Sequence, residues 1–458
     1  MKDLIKDILT LTKHVELKKN EYLTENQIKR IQERKFRKIL RHAYTNSSFY
    51  REFYTSHGIK ENHLDDIKIG DIPPIDKKIM MENFDRFVCR KDITKQEVFN
   101  FIENPENLDQ LFKNKYSVVH TSGSSGSHGL FVYNLSEWSI LKALAMFRSR
   151  GLFKLFKKTQ LAYIGAINGH FAGYNLNASA PNLFYDFLPV SINSPFTNII
   201  DQLNEFNPNF IVGYSSIIEM LAIEKLNGNL HVNPERIHCS GDVLTEKRFE
   251  MITEAFGVKP VNYYAAAESI GLGSTCMQAK NIHLYNDLHV FEILDESMNA
   301  VETGQFGSLY LTTLYNFTQP LIRYNLNDQL SYRETNCKCN WSFPVIENIG
   351  GRAEDFLWFK NRVDNWEYIH PLLLVEFFVK GVEKFQFVQS KPDNIQIRAV
   401  TSMNKNDAED KIRRKMTEIL YDKELNEIVK VEIQFFDHIE NNSQTGKYKL
   451  VVPYKYDK

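Results

Sequence analysis

The stretch Tyr116-Ser-Val-Val-His-Thr-Ser-Gly-Ser-Ser-Gly-Ser-His-Gly129 carries the residue types best suited to chemistry in this chain. The β-branched run Ser117 to His120 predicts a strand. It feeds directly into a loop of Thr121, Ser122, Gly123, Ser124, Ser125, Gly126, Ser127, His128 and Gly129. Glycines let the backbone turn its N–H groups inward and approach a ligand closely. The hydroxyls add uncharged donors, and a concave row of donors suits a polyphosphate. No Gly-Lys-Ser/Thr closes the loop, so it is not a Walker loop. A flexible Gly/Ser linker is the alternative. The strand before it, and the apolar helical pattern from Trp138 to Phe147 after it, argue for a built site.

Thr-Ser-Gly-Ser-Ser-Gly-x-x-Gly, residues 121 to 129, resembles the phosphate loop of the adenylate-forming (acyl-AMP) superfamily, which includes acyl- and aryl-CoA ligases. Further segments resemble that superfamily in its order along the chain. Tyr263-Tyr-Ala-Ala-Ala-Glu268 is similar to Tyr-Gly-x-Thr-Glu. The resemblance implies Tyr264 at the nucleotide and Glu268 as a catalytic carboxylate on Mg²⁺, a cation that takes oxygen ligands. Ala265 and Ala267 depart from the usual Gly and Thr, and the lost hydroxyl removes a phosphate donor. Arg323-Tyr-Asn-Leu-Asn-Asp328 resembles Arg-Tyr-x-x-Gly-Asp, which implies Asp328 on the ribose hydroxyls. Asn327 stands where Gly is usual, and Asn tolerates positive φ better than most residues. Gly351-Arg-Ala-Glu-Asp355 resembles a hinge. It implies Arg352 on ribose or phosphate and Glu354 as the pivot, with Asp355 the alternative. Thr445-Gly-Lys-Tyr-Lys449 resembles the C-terminal Ser-Gly-Lys. It implies a catalytic Lys447, with Lys449 as the alternative, brought to the carboxylate and α-phosphate by domain movement. His42-Ala-Tyr44, Pro73 to Lys77, Gly213-Tyr-Ser-Ser216 and Ser240-Gly-Asp242 are similar to the branch of phenylacetate-CoA ligases and CapK-like proteins.

The elements that must position these residues follow from periodicity. Thr24-x-x-Gln27 reads as a capping box before an amphipathic helix whose basic face, Arg30 to Arg41, is expected in solvent. Strands at Phe210, Ile237 and Val261 alternate with helices, which predicts a parallel α/β core. In such sheets ligands collect beyond the carboxyl ends of strands, where the Gly/Ser loop and Tyr264 to Glu268 are expected. From Leu288 the pattern is β-rich, and beyond Gly350-Gly351 it is α+β. The expected fold is α/β. Residues 1–351 form a large adenylate-forming domain with parallel sheets and a β-rich subdomain. Residues 352–458 form a small mobile α+β domain that carries the lysine.

At 458 residues, with 43% hydrophobic and 25% charged residues, the chain reads as globular and multidomain. A net charge of −1 gives no field to draw it onto nucleic acid. No apolar run is long enough for membrane insertion, and Met1 to Lys13 mixes charges into its apolar residues, so a cytoplasmic location is the default. A homodimer stays open. Five cysteines do not suggest a disulfide framework, and Cys337-Lys-Cys339 suggests a metal. With Cys276 and His283 they make a Cys₃His set, a tetrahedral shell for structural Zn²⁺, similar to an arrangement in the same branch. The implied activity is ATP-dependent, Mg²⁺-using activation of a carboxylic acid as acyl-AMP, then transfer to CoA or to an amine. The rival is a non-catalytic nucleotide-binding relic. Phe171, Tyr174, Tyr214 and Tyr264 are candidates for an aromatic acid pocket.

Overall fold

The computed structural model describes residues 2–121, 129–148, 158–276, 281–334, 337–339, 341–349, 356–364, 366–370, 373–374, 377, 379, 381–439 and 450–454. The capping box forms as expected. Thr24 and Gln27 exchange side-chain and backbone hydrogen bonds at the start of the helix Glu25–Asn46. Its basic face is only partly solvated, because Lys35 reaches inward to the Asp287 carbonyl at 3.0 Å.

The strands β1 (Tyr116–His120) and β2 (Leu130–Asn134) pair antiparallel as a separate two-stranded ribbon. The Gly/Ser loop joins these two strands. This corrects its expected place at the carboxyl end of a parallel strand. Among the described residues the element after β1 is β2, and its Leu130-Phe-Val-Tyr run is buried on both faces.

The main sheet has eleven strands in the order β10-β11-β12-β13-β9-β8-β7-β6-β5-β3-β4. Five are parallel: β3 (Thr159–Gly165), β4 (Tyr185–Ser191), β5 (Phe210–Gly213), β6 (Arg236–Cys239) and β7 (Val261–Ala266). Their apolar runs suit strands covered on both faces. The direction then reverses. The strands β8 (Ser269–Thr275), β9 (Ile282–Leu284), β10 (His289–Leu294), β11 (Gly307–Thr313), β12 (Tyr324–Arg333) and β13 (Val345–Ile349) pair antiparallel, as the β-rich pattern predicts. The tight β7–β8 connection puts Ala267 and Glu268 at the point where parallel pairing ends.

A smaller C-terminal domain has its own core. The strands β16 (Val382–Lys391), β17 (Asn394–Thr401), β18 (Lys430–Phe435) and β19 (Val451–Val452) form a sheet in the order β18-β17-β16-β19. The helix Lys405–Asp422 covers it with Ala408, Ile412, Met416 and Leu420, a stripe spaced for one helix face. Ahead of this sheet, β14 (Leu357–Lys360) and β15 (Trp366–Ile369) form a hairpin. Strand alternation sends Leu357, Phe359 and Ile369 into the small core. Phe356, Trp358 and Tyr368 go to the cluster beneath β3 to β6 of the large domain.

Candidate active site

Three segments converge on Glu268. The Tyr133 hydroxyl of β2 donates to the Ala267 and Glu268 carbonyls, both at 3.0 Å, and fixes the turn. The Tyr324 hydroxyl of β12 donates to Glu268 Oε1 at 3.3 Å. The Ile75 N–H donates to the Arg323 carbonyl at 3.1 Å, and Ile75 accepts from Asn325 N–H at 2.8 Å. This lacing carries the Pro73 to Lys77 segment onto β12. Asp76 caps the next helix through Ile79 N–H at 2.8 Å, which sets Lys77 at its first position. Burial raises the Glu268 carboxyl above the ordinary range, nearby Lys77 lowers it, and Asp328 raises it further. Lys77 is the charge partner that the residue-by-residue reading did not assign to the site; its only sequence signal is its place after Pro73-Pro74.

Asp328 lies on β12, and the Tyr264 hydroxyl donates to its Oδ2 at 2.5 Å. Asn327 has φ +62°, so Asn does take the left-handed conformation there. The kink lies inside β12, where the pairing with β11 shifts register, rather than in a free turn.

Beside this cluster is a cavity of about 240 Å³. Thr121 and the Ala265 to Ala267 run both line it, so the start of the Gly/Ser loop and the segment before Glu268 share one space. Apolar and aromatic side chains, including Tyr163, Phe171, Phe210 and Tyr214, make most of the remaining wall. An engineered apolar cavity of about 150 Å³ holds benzene, so this one has room for a ring with a short chain. Phe171 and Tyr214 line it as expected. Tyr174 and Tyr264 do not: Tyr174 donates to Asp109 at 3.0 Å, and Tyr264 turns to Asp328. Tyr163, Phe210 and His238 were missed, because alternate positions on buried parallel strands carry no polarity signal for which face lines a cavity. Asp242 is structural. Its carboxylate accepts the Ser215 and Ser216 N–H groups at 2.5 and 3.0 Å, at the first turn of the helix Ser215–Leu226.

Cys276, His283, Cys337 and Cys339 come together, their ligand atoms within 4.8 Å of one another. Cys276 Sγ lies 3.4 Å from Cys337 Sγ, and Cys339 Sγ lies 3.7 Å from His283 Nε2. A tetrahedral zinc with Zn–S near 2.3 Å spaces its ligands by roughly these amounts. His283 Nδ1 faces the Phe343 carbonyl at 3.3 Å. A proton held there leaves Nε2 as the metal-facing lone pair, the usual outer-shell arrangement of a ligating histidine. The four residues fit Zn²⁺ in a closed, structural shell.

A family model, the CapK C-terminal domain, matches residues 365–453. The protein CapK of Staphylococcus aureus is 25% identical over 407 residues, 84% of this chain and 80% of its own length. A phenylacetate-coenzyme A ligase of Thermus thermophilus is 24% identical over 349 residues, 74% of this chain and 73% of its own. Over most of its length the chain is similar to adenylate-forming ligases of the phenylacetate-CoA ligase and CapK-like branch. A solved structure of 2-hydroxyisobutyryl-CoA ligase in the thioesterification state shares the fold, with a TM-score of 0.61 and 18% identity over 95% of this chain and 91% of that one.

Of the positions expected from the adenylate-forming pattern, Thr121, Gly129, Tyr264, Glu268 and Asp328 are described. The Thr121 hydroxyl accepts the Gly129 N–H at 2.7 Å, which closes the neck of the loop. Ser122, Gly123, Ser124, Ser125, Gly126, Ser127, His128, Arg352, Glu354, Asp355, Lys447 and Lys449 lie outside the described residues. Where the sequence departs from the adenylate-forming pattern, Ala265 and Ala267 become part of the apolar wall. Among the described residues no helix is long and apolar enough to cross a membrane.

Proposed function

We infer that this protein is an ATP-dependent acid–CoA ligase. One observation carries the reading: Thr121 and Ala265 to Ala267 line one apolar cavity, with the Glu268 and Asp328 carboxylates on the adjoining segments. The cavity suits the apolar part of a carboxylic acid. Asp328 is assigned to the ribose hydroxyls, which a carboxylate accepts in pairs. The loop 121–129 is assigned to the phosphates.

The acid's carboxylate oxygen attacks the α-phosphorus of ATP. A P–O bond forms, pyrophosphate leaves, and acyl-AMP remains. The CoA thiol, having lost its proton, then attacks the acyl carbonyl, and AMP leaves with the electron pair. Glu268 is assigned to Mg²⁺, and its buried carboxylate beside Asp328 fits a cation that takes oxygen ligands. When bound, Mg²⁺ neutralises charge on the phosphates. Lys77 opposes the burial that raises the Glu268 carboxyl, and so favours the ionised form that role needs. Lys447 is assigned to the reacting carboxylate and α-phosphate, on a domain of residues 352–458 that pivots near Glu354 against residues 1–351. Cys276, His283, Cys337 and Cys339 are assigned a structural Zn²⁺.

A second reading has an observation of its own: the match to the CapK C-terminal domain and to CapK over 84% of this chain. There an amine takes the acyl group. Purified protein with MgATP and a panel of carboxylic acids, assayed for pyrophosphate with and without CoA, tests both. Acid-dependent pyrophosphate with a CoA thioester supports the first. Acid-dependent turnover that needs an amine and ignores CoA supports the second. ATP binding with no acid-dependent pyrophosphate overturns both and leaves a nucleotide-binding relic.

A further inference from the structure

Tyr214 is held from two sides. On one side is Gly241, whose φ is +82°. A Cβ there would come within 2.8 Å of the Tyr214 ring, so only glycine leaves that seat open. On the other side is His370, which follows β15. Its ring stacks on Tyr214 with centroids 5.2 Å apart and planes at 28°. His370 Nε2 and Ser216 Oγ share a hydrogen bond of 2.7 Å. The edge of Phe356 packs on the same imidazole at 4.9 Å. His370 is 1% exposed. The wall of the cavity is therefore backed by a side chain from the C-terminal elements.

A buried charge pair within the same elements, Lys423 and Glu367, reaches the large domain through two backbone groups, the Ser194 carbonyl and the Phe196 N–H. Lys423 Nζ donates to Glu367 Oε1 at 3.3 Å and to the Ser194 carbonyl at 3.0 Å, and it lies 4.4 Å from the Tyr368 ring centroid. Glu367 Oε2 accepts the Phe196 N–H at 3.3 Å, at the start of the helix Phe196–Phe206. Asn193 Nδ2 donates to Asp422 Oδ2 at 2.6 Å. A buried pair of this kind tolerates loss of both charges far better than loss of one.

We propose that His370 is a positioning residue that couples the seating of the C-terminal domain to the acid pocket, through Tyr214, and that Lys423 and Glu367 form the latch that holds it there. This rests on the cavity's being the acid pocket. With the domain seated, the Tyr214 ring is clamped and the pocket wall is complete. With the domain displaced, Tyr214 loses its stacking partner and the wall loosens. By reciprocity, an acid that fills the pocket favours the seated domain as much as the seated domain favours the acid.

The test uses the full chain and the variants Lys423→Met, His370→Ala and His370→Phe, with the double variant Lys423→Met/Glu367→Gln. Hydrogen exchange is read over residues 213–218, without any substrate. KM for the acid with the highest turnover in the pyrophosphate assay is read against KM for ATP. Lys423→Met and His370→Ala are expected to speed exchange in that segment and raise acid KM about tenfold, the scale of losing one aromatic contact and one hydrogen bond, with ATP KM within about twofold. His370→Phe keeps the ring and should recover most of the acid KM. The double variant should recover seating. Wild-type exchange at 213–218 and wild-type acid KM in Lys423→Met would overturn the coupling. If exchange responds while no acid is turned over, the coupling holds and the ligase reading fails instead. A His370→Ala that does not fold leaves Lys423→Met to decide.

Discussion

Removing metal from the Cys₃His cluster should cost stability far more than activity. The cluster joins the end of β8 at Cys276 to the 337–339 segment, which closes a loop of about sixty residues. By the chain-entropy estimate for a cross-link, closing a loop of that length is worth about 4 kcal/mol against the unfolded chain. An unfolding entropy of about 2 cal/mol/K per residue gives a unit of roughly 350 residues about 0.7 kcal/mol/K, so the melting temperature should fall by about 5–6 °C. Activity at low temperature should change little. Glu268 precedes β8 and Cys276 follows it, so the strand's length of about 23 Å separates site from cluster. The disturbance should instead travel to Trp341 and Phe343, whose rings pack together, and to Arg148, which lies over the Phe343 ring. The assay is elemental analysis of protein purified without a metal-affinity tag, then melting and pyrophosphate release before and after chelation, with Cys276→Ser in parallel. One zinc per chain is expected. Protein that purifies without metal, or whose melting temperature is changed neither by chelation nor by Cys276→Ser, would refute the assignment.

Glu268→Gln should lose acyl-adenylate formation by about 10²-fold or more, the scale of one well-placed charged group in an active site. It should also melt higher than the native protein at neutral pH. Because burial raises the folded pKa of Glu268, its ionised form costs stability above that pKa, and the cost is relieved as pH falls through it, so the melting difference should shrink on acidification. Lys77→Met removes the charge that opposes the upward shift of Glu268, and should move the acid limb of the adenylation pH profile to higher pH; an unmoved limb would detach Lys77 from the site. Lys447→Ala should lower acyl-AMP formation by about 10²-fold, while transfer from synthetic acyl-AMP to the acceptor changes much less; equal losses in both would mean a structural role.

The polar parts of this site were legible in the sequence because their chemistry constrains local residue types. A left-handed position before Asp328 wants Gly or Asn, and Asn327 takes it. A Cys-x-Cys in a chain with few cysteines reads as a metal signal, and Cys276 and His283 do close the set. The alternation of apolar strands and helices likewise announced the parallel half of the sheet, since strands covered on both faces have little freedom to be polar. What the sequence left open depends on which faces meet. The Gly/Ser loop joins a separate ribbon because β1 finds β2 as its partner, and strand pairing between neighbours is decided by packing rather than by either strand's pattern. Lys77 lies far from Glu268 along the chain and reaches it only because the Ile75 backbone is laced to β12. The pocket took Tyr163 and Phe210 and left out Tyr174 and Tyr264, although all four are buried aromatics. Their burial is a property of composition, but the side of the sheet each one serves is fixed only when the layers assemble.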